Sequence, residues 1–183
     1  MYEVELKVRA EHDPVRTRLS EIGAERLGTI RQVDTYYDAP HRSFAETDEA
    51  LRLRRVEDED GDGSRTGTTK LTYKGPLVDQ DSKTREELET GVDDGETVNE
   101  ILDRLGFEPA ATVEKTRERF AHGGYTVVLD DVEGLGQFVE VETEAEAIEP
   151  AREGAVERLV ELGLDPDEQI RTSYLGMLLD SDG

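Results

Sequence analysis

The chain has 183 residues, of which 45 are Asp or Glu and 22 are Lys or Arg, and its formal net charge is −23. Such a charge argues against nucleic acid and anionic membrane surfaces as partners, and the absence of cysteine excludes disulfides and thiolate metal sites. No apolar run approaches the 18 residues of a membrane span, so we expect a soluble, cytoplasmic protein.

Low apolar content with high charge is also a signature of disorder. That interpretation fails here, because the apolar residues follow period-2 and period-3.6 patterns along most of the chain. Only five of the 22 basic residues are Lys, and the acid is spread along the sequence. This composition is typical of proteins from strongly halophilic cells; the alternative is an acidic protein with a basic partner.

The first half of the chain predicts five strands and one helix. Tyr2–Arg9 alternates strictly, with apolar residues on one face and charged residues on the other. Asp13 and Pro14 predict the start of a helix that ends at Gly23. The other strands of this half are 32–38, 50–54, 69–74 and 84–89, and residues 57–66 predict a solvated hairpin loop.

The second half predicts helices over 97–105 and from Pro150 to Gly163, strands over 113–120, 125–130 and 137–143, and a short apolar helix or turn over 173–179. Residues 19–25 weakly resemble residues 102–108, and each segment precedes a strand. We therefore expect an internal duplication with halves of about 1–84 and 85–175. Neither half has enough apolar residues for its own core, so we expect one domain, 1–183.

The polar faces of these strands share one composition, clustered cations with a few carboxylates. Four of the five lysines lie on them, in a chain that otherwise avoids Lys. Such concentrated cations indicate an interior lined with charge, which needs a polyanion to neutralise it. The cations are Lys7, Arg9, Arg52, Arg54, Lys70, Lys74, Arg85, Lys115 and Arg117. The carboxylates are Glu3, Glu5, Glu87, Glu89, Asp130, Glu140 and Glu142.

This set of side chains indicates a binding site for a metal-bound triphosphate. Arg and Lys at alternate strand positions project together and can clamp phosphoryl oxygens. Carboxylates at i and i+2 suit Mg²⁺ or Mn²⁺, which prefer oxygen ligands and bridge to phosphates. Glu3, Glu5 and Lys7 alone would better fit a solvated strand face, and Glu140 and Glu142 alone would fit ordinary surface acids. Only the combination over several strands favours a site.

Residues 3–7, Glu-Val-Glu-Leu-Lys, resemble the ExExK signature of the CYTH superfamily, the triphosphate tunnel metalloenzymes. The resemblance continues in order along nearly the whole chain, and the length and helices are most similar to the CyaB-type class IV adenylate cyclases. It includes Asp34-Thr-Tyr-Tyr-Asp38, Leu51-Arg-Leu-Arg54, Lys70-Leu-Thr-Tyr-Lys-Gly-Pro76, Arg85-Glu-Glu87, Lys115-Thr-Arg117, Leu129-Asp-Asp131, Phe138-Val-Glu-Val-Glu142 and Ser173-Tyr-Leu175.

The resemblance implies an α+β fold, a closed antiparallel barrel of eight strands that forms a triphosphate tunnel with helices packed outside. It implies that Mg²⁺ or Mn²⁺ binds to Glu3, Glu5, Glu140 and Glu142. It implies a triphosphate held by Lys7, Arg52, Arg54, Lys70, Lys74, Arg85, Lys115 and Arg117, with Lys70 and Lys74 unranked. It implies catalytic roles for Glu5, Lys7, Lys115 and Asp130, the last as a ligand or base, and a bridge across the wall by Arg85 and Glu87.

We expect the reaction to be that of an adenylate cyclase, which converts ATP to cyclic AMP and pyrophosphate. The same charged groups would also serve an inorganic or thiamine triphosphatase. A nucleotide- or polyphosphate-binding module without turnover is the third alternative. The partner is therefore ATP or another triphosphate, and apolar residues within 175–179 allow a homodimer.

Overall fold

The computed structural model describes residues 1–60 and 67–181. Its strands are β1 (Tyr2–Arg9), β2 (Glu25–Asp38), β3 (Ala50–Asp58), β4 (Thr68–Lys74), β5 (Lys83–Val92), β6 (Glu108–His122), β7 (Tyr125–Val132) and β8 (Gly136–Ala145). Its helices are α1 (His12–Glu21), α2 (Phe44–Thr47), α3 (Gly95–Arg104), α4 (Ile148–Glu161) and α5 (Tyr174–Ser181), with a 3₁₀ helix at Pro166–Glu168. None of the described helices is long and apolar enough to cross a membrane.

The eight strands close into a barrel in the order β1-β5-β4-β3-β2-β6-β7-β8. Every neighbouring pair is antiparallel, and closure leaves no free sheet edge along the barrel. The predicted α+β fold, a closed antiparallel barrel of eight strands with helices outside it, is confirmed. Each of the eight predicted strands lies within an observed strand.

The main hydrophobic core lies outside the barrel, between its wall and two helices. Leu6 and Val8 of β1 pack there with Leu19 of α1 and Leu159 of α4, and all four side chains are buried. Burial of each such side chain contributes about 1.5–3 kcal/mol. Because successive strand residues point to opposite faces, this outward packing turns the charged residues of β1 towards the barrel interior.

A second apolar cluster fills one end of the interior. Val113 of β6 and Phe138 of β8 lie two residues from charged inward positions, and both pack with Val132 and with Tyr174 of α5. The Tyr174 ring meets Phe138 edge-on, with centroids 5.1 Å apart. The C-terminal helix thereby places one aromatic side chain against the charged part of the interior.

Three predicted helix starts are wrong by two residues, and one of them is the helix predicted from Pro150, which begins at Ile148. The helix predicted from residue 97 begins at Gly95, because the Asp94 carboxylate accepts a hydrogen bond from the Thr97 backbone amide at 3.1 Å and caps it. The helix predicted to be capped by Asp13 begins at His12, so Asp13 lies in its first turn.

Segments without a hydrophobic period were predicted least well. β2 begins at Glu25 rather than residue 32, because its first residues extend a long ladder with β6 although their sequence does not alternate. Helix α2 was not predicted, because its four residues are too few to show a repeating apolar face. The predicted loop begins inside β3, which ends at Asp58, and its residues 61–66 lie outside the described residues. The duplication of about 1–84 and 85–175 stays a prediction.

Candidate active site

A cavity of about 1000 Å³ occupies the barrel interior, at the upper end of the usual range for small-molecule sites. Its wall consists of inward-facing strand residues, completed by residues of α2 and of the segment that leads into α5. Most predicted site residues line it. They are Glu3, Glu5, Arg52, Arg54, Lys74, Arg85, Lys115, Arg117, Glu140 and Glu142, together with Glu87.

Three carboxylates gather on one side of the cavity, which we call the acidic wall: Glu3 and Glu5 of β1 and Glu142 of β8. One oxygen from each lies within 4.8 Å of the others. Mg²⁺ binds oxygen at about 2.0–2.1 Å, so opposite ligands of one ion lie about 4 Å apart. The three oxygens therefore fit a single hard divalent cation.

The electrostatics of the acidic wall show a shortage of positive charge. Glu5 and Glu142 are directly opposite residues of β1 and β8, and like charges in that relation destabilise a sheet. Burial outweighs the attraction of Arg117 and, with added repulsion from Glu3 and Glu140, raises the pKa of Glu142 to about 8. Burial and the charge of Glu87 likewise raise the pKa of Glu3, against the pull of Lys74. A bound cation would relieve this repulsion.

Glu140, the fourth predicted metal ligand, lies outside this group of three. It accepts a hydrogen bond from Arg117 Nη2 at 3.0 Å and lies 3.4 Å from Lys7 Nζ. Although burial opposes ionisation, the charges of Lys7 and Arg117 hold the pKa of Glu140 well below its usual range. Glu140 is therefore an ionised member of an ion-pair network.

Arginines and a lysine face the acidic wall from β3 and β6, and we call Arg52, Arg54, Lys115 and Arg117 the basic wall. Arg54 donates two hydrogen bonds to Asp34, at 2.6 and 2.7 Å. Arg117 makes the same fork with Asp130, with both bonds at 2.7 Å. Such bidentate pairs fix the plane of a guanidinium group.

Asp34 had no predicted role, although it belongs to a motif that carried the family resemblance. It is fully buried on β2, directly opposite Arg54 of β3. Against the effect of burial, the hydrogen bonds and charge of Arg54 keep the pKa of Asp34 far below its usual value. Its inward position could be inferred from the alternation of β2, but its partner depends on the register between strands.

Two cations of the basic wall have few partners. Burial, reinforced by Arg117 and Arg54, lowers the pKa of Lys115 to about 7, and its nearest carboxylate oxygen, on Asp34, is 3.7 Å away. The buried Arg52 Nε has no hydrogen-bond partner among the described residues. Cations that are desolvated and short of partners are suited to bind an anionic ligand.

Lys7 and Asp130 lie behind the cavity wall and do not line it. Lys7 is fully buried, with its Nζ 3.8 Å from the centroid of the Tyr174 ring and without a hydrogen-bond partner among the described residues. Asp130 accepts hydrogen bonds from Arg117 and from the Tyr174 hydroxyl, the latter at 2.8 Å. Both groups contact residues that line the cavity, Lys7 through Glu140 and Asp130 through Arg117.

The two lysines of β4 occupy different places. Lys74 lines the cavity and donates a 2.5 Å hydrogen bond to Glu87, the residue directly opposite it on β5. Lys70 is not among the residues that line the described cavity; its half-exposed ammonium pairs with Glu89 at 2.9 Å. Lys74 is therefore the better placed of the two to meet a ligand.

Arg85 lines the cavity, but its guanidinium group is already engaged. It donates to the carbonyl oxygens of Gly75 and Asp48 and to the Asp48 carboxylate, at 2.8–3.0 Å. These bonds join β5 to the turn after β4 and to the end of α2. Arg85 therefore links three segments of the cavity wall, and the expected bridge by Arg85 and Glu87 across the wall stays a prediction.

Lys83 is the fifth lysine and was missed, because the predicted strand began one residue after it. It is the first residue of β5, directly opposite Glu5 of β1, and it lines the cavity. Its ammonium donates a 3.1 Å hydrogen bond to Glu5 Oε1. Extending the alternation of Arg85 and Glu87 by one step towards the N-terminus would have found it.

The expected surplus of cations is largely absent from the described interior. Arg54, Arg117, Lys74 and Lys83 each pair with a carboxylate on a neighbouring strand. The interior is thus a lattice of buried ion pairs, and a polyanion is not needed simply to neutralise it. What remains available to a ligand is the carboxylate cluster on one side and a few poorly paired cations on the other.

A closed eight-stranded barrel with a charged interior is the fold that the family resemblance implied, and a comparison with protein-family models identifies the same family. A model of the CYTH domain matches residues 1–174, so the chain belongs to the CYTH domain family. The curated protein named Putative adenylate cyclase MJ0240, from Methanocaldococcus jannaschii, is 38% identical over 179 residues, which are 96% of this chain and 97% of the relative. Adenylate cyclase CyaB from Aeromonas hydrophila is 26% identical over 178 residues, 94% of this chain and 86% of the relative.

Solved structures show the same fold. The PH1819 protein from Pyrococcus horikoshii OT3 superposes with a TM-score of 0.88 and 40% identity, over 98% of this chain and 99% of that protein. Putative adenylyl cyclase HpAC1 from Hippeastrum, described as having a dominant triphosphatase activity, has a TM-score of 0.70 over 98% of this chain and 95% of its own. At 18% identity the likeness to HpAC1 concerns the fold alone. The predicted family and its CyaB-type resemblance are confirmed.

Proposed function

We propose that this protein is a metal-dependent enzyme that acts on a triphosphate inside the barrel, and that it converts ATP to cyclic AMP and pyrophosphate. The observation that carries the proposal is the facing of the acidic wall and the basic wall across one cavity. The choice of a cyclase is supported by the names of the relatives that are 38% and 26% identical.

The proposed metal site is the three-carboxylate cluster of Glu3, Glu5 and Glu142. Oxygen donors of this kind suit Mg²⁺ or Mn²⁺, and the raised pKa of Glu142 marks the place where positive charge is lacking. When bound, the ion would neutralise phosphate charge and polarise a phosphoryl oxygen. Glu140 stays with Arg117 and Lys7, where its negative charge fixes both cations.

The proposed triphosphate site is the basic wall with Lys74. Asp34 and Asp130 use Nε and Nη2 of their arginines. This leaves Arg54 Nη1 for an anion, whereas Arg117 Nη1 lies 4.0 Å from a carboxylate oxygen of Glu142. Donors held in place before the ligand arrives need little reorganisation during the reaction. Asp130 is then a positioning residue for Arg117, because its carboxylate is already fully hydrogen-bonded and does not line the cavity.

In the proposed cyclisation, the ribose 3′-oxygen bonds to the α-phosphorus while the bond from that phosphorus to the bridging oxygen breaks. Pyrophosphate leaves and the hydroxyl proton is released. Arg117 and Lys115 would stabilise the charge that moves onto the leaving group. Apolar side chains such as Phe44, Leu77 and Leu179 also line the cavity and offer a surface to the organic part of the substrate.

Hydrolysis of a triphosphate is the second candidate. The charged groups of the cavity recognise only phosphate and metal, so they would serve an attacking water as well as a ribose hydroxyl. The fold itself occurs in a protein described as having a dominant triphosphatase activity.

Substrate assays separate these candidates. The protein, in molar KCl with Mg²⁺ or Mn²⁺, would receive ATP, tripolyphosphate and thiamine triphosphate separately. Cyclic AMP with pyrophosphate is the expected result, and orthophosphate from tripolyphosphate without cyclic AMP would establish the hydrolase instead. Binding without any turnover would establish a binding module. Glu142→Gln should abolish turnover, and Glu86→Gln, on the exposed outer face of β5, is its matched control.

A further inference from the structure

We propose that Lys83 is a built-in counter-ion for the metal site. It holds Glu5 in the metal-free protein, releases Glu5 when the metal ion binds, and then contacts the triphosphate. The inference rests on the proposed function, because it requires metal and triphosphate to share this cavity.

The first support is the position of Lys83 on the barrel. The pairing of β1 with β5 sets Lys83 directly opposite Glu5, and the Nζ of Lys83 lies 3.1 Å from Glu5 Oε1. The same Glu5 side chain belongs to the cluster that fits a divalent cation. The Glu5 carboxylate is thus the partner of Lys83 in this structure and a ligand of the proposed metal ion, so the two cations would compete for it.

The second support is the difference between the two lysines near Glu5. Lys7 Nζ is 3.7 Å from the same oxygen, but it is fully buried, lies over the Tyr174 ring and has Glu140 as a closer partner. Lys83 donates its one described hydrogen bond to Glu5, and its side chain borders the cavity. Lys83 is therefore the ammonium group that can move when a second cation arrives.

The third support is the charge balance of the exchange. An ion about 2.0–2.1 Å from a Glu5 oxygen would repel an ammonium held 3.1 Å from Glu5 Oε1, so the Lys83 ammonium must leave. In leaving it becomes an unpaired buried cation, which is costly unless an anion replaces Glu5. The phosphates of the substrate are that anion. The Lys83–Glu5 ion pair is thus replaced by two pairs: the metal ion with Glu5, and Lys83 with the triphosphate.

The test is a pair of calorimetric titrations, Mn²⁺ into the metal-free protein and tripolyphosphate into the Mn²⁺-saturated protein, on the full chain and on Lys83→Met. Removing a competing cation should tighten Mn²⁺ binding about tenfold, and losing a phosphate contact should weaken tripolyphosphate binding about tenfold, each equal to about 1.4 kcal/mol. A general loss of structure would weaken both ligands, so the opposite signs distinguish the counter-ion role from damage to the fold.

Two further variants complete the test. Lys83→Gln keeps a hydrogen-bond donor for Glu5 without the charge, and it should shift both affinities in the same directions even where Lys83→Met does not fold. Arg55→Met removes one positive charge from the exposed outer face of β3 and should change neither affinity. Mn²⁺ binding that is unchanged or weaker in the Lys83 variants would overturn the counter-ion role of Lys83 but not the proposed function. A wild-type protein that binds neither Mn²⁺ nor tripolyphosphate would overturn the proposed function as well.

Discussion

The two walls of the tunnel both consist of charged residues on neighbouring strands, yet strand register pairs those residues in opposite ways. On the basic wall, Arg54 lies directly opposite Asp34 and Arg117 directly opposite Asp130, so each of these two arginines has an anion beside it. On the acidic wall, the pairing of β1 with β8 sets Glu5 opposite Glu142, acid against acid. The two arginines are therefore held in place before a ligand binds. On the acidic wall, a lysine, Lys83, is hydrogen-bonded to one of the three carboxylates, that of Glu5.

The largest expected effect comes from the acidic wall. Glu142→Ala and Glu5→Ala should each reduce turnover by at least about 10²-fold, because each removes one of the three oxygens that would hold the ion and lower the charge of the transition state. Steady-state assays with Mn²⁺ measure this. Wild-type rates in either variant would refute the metal site.

The next largest effect concerns the rigidity of the basic wall. Asp34→Ala leaves the buried Arg54 guanidinium without its partner, and breaking a buried pair in this way costs about 3–5 kcal/mol. The free energy of unfolding, measured with denaturant in molar KCl, should fall by that amount. A loss below about 1 kcal/mol would mean that Arg54 is not held by Asp34.

Ligand binding should take up protons at the basic wall and release protons at the acidic wall. Lys115, with a pKa of about 7, is mostly neutral at pH 7.5, and a bound polyanion favours its charged form, so tripolyphosphate binding takes up protons and weakens as the pH rises above 7. Glu142, with a pKa of about 8, is mostly protonated at pH 7.5, so metal binding releases protons and strengthens towards pH 8.

Calorimetry at pH 7.5 in buffers of different ionisation enthalpy measures both proton counts. Lys115→Met should abolish the uptake without altering the release, and Glu142→Gln should do the reverse. Uptake that survives in Lys115→Met would show that another group carries the proton.

The smallest expected effect separates the two lysines of β4. Lys74 lines the cavity and Lys70 does not, so Lys74→Met should raise the KM for the triphosphate about tenfold, as one lost charged hydrogen bond would. Lys70→Met, the matched change four residues away on the same strand, should raise it less than twofold. An equal rise of KM in the two variants would contradict the prediction, because it would mean that the triphosphate also contacts Lys70.

The fold and most of the site could be predicted because both depend on strand alternation, which is local. Glu3 and Glu5 of β1, Arg52 and Arg54 of β3, and Lys115 and Arg117 of β6 line the cavity, as expected. Arg9, on the same predicted face of β1, is instead exposed and donates a hydrogen bond to the Leu135 carbonyl oxygen. The individual partners could not be predicted, because they depend on how distant strands align. Asp34 for Arg54, Lys83 for Glu5 and Glu140 for Arg117 are all of this kind.

The most direct test of the central claim is a crystal structure of the protein with Mn²⁺ and tripolyphosphate. The expected result is an anomalous scattering peak among Glu3, Glu5 and Glu142, with the phosphates between that ion and the basic wall. A manganese peak elsewhere, or a tripolyphosphate outside the barrel, would contradict a metal–triphosphate site in the tunnel.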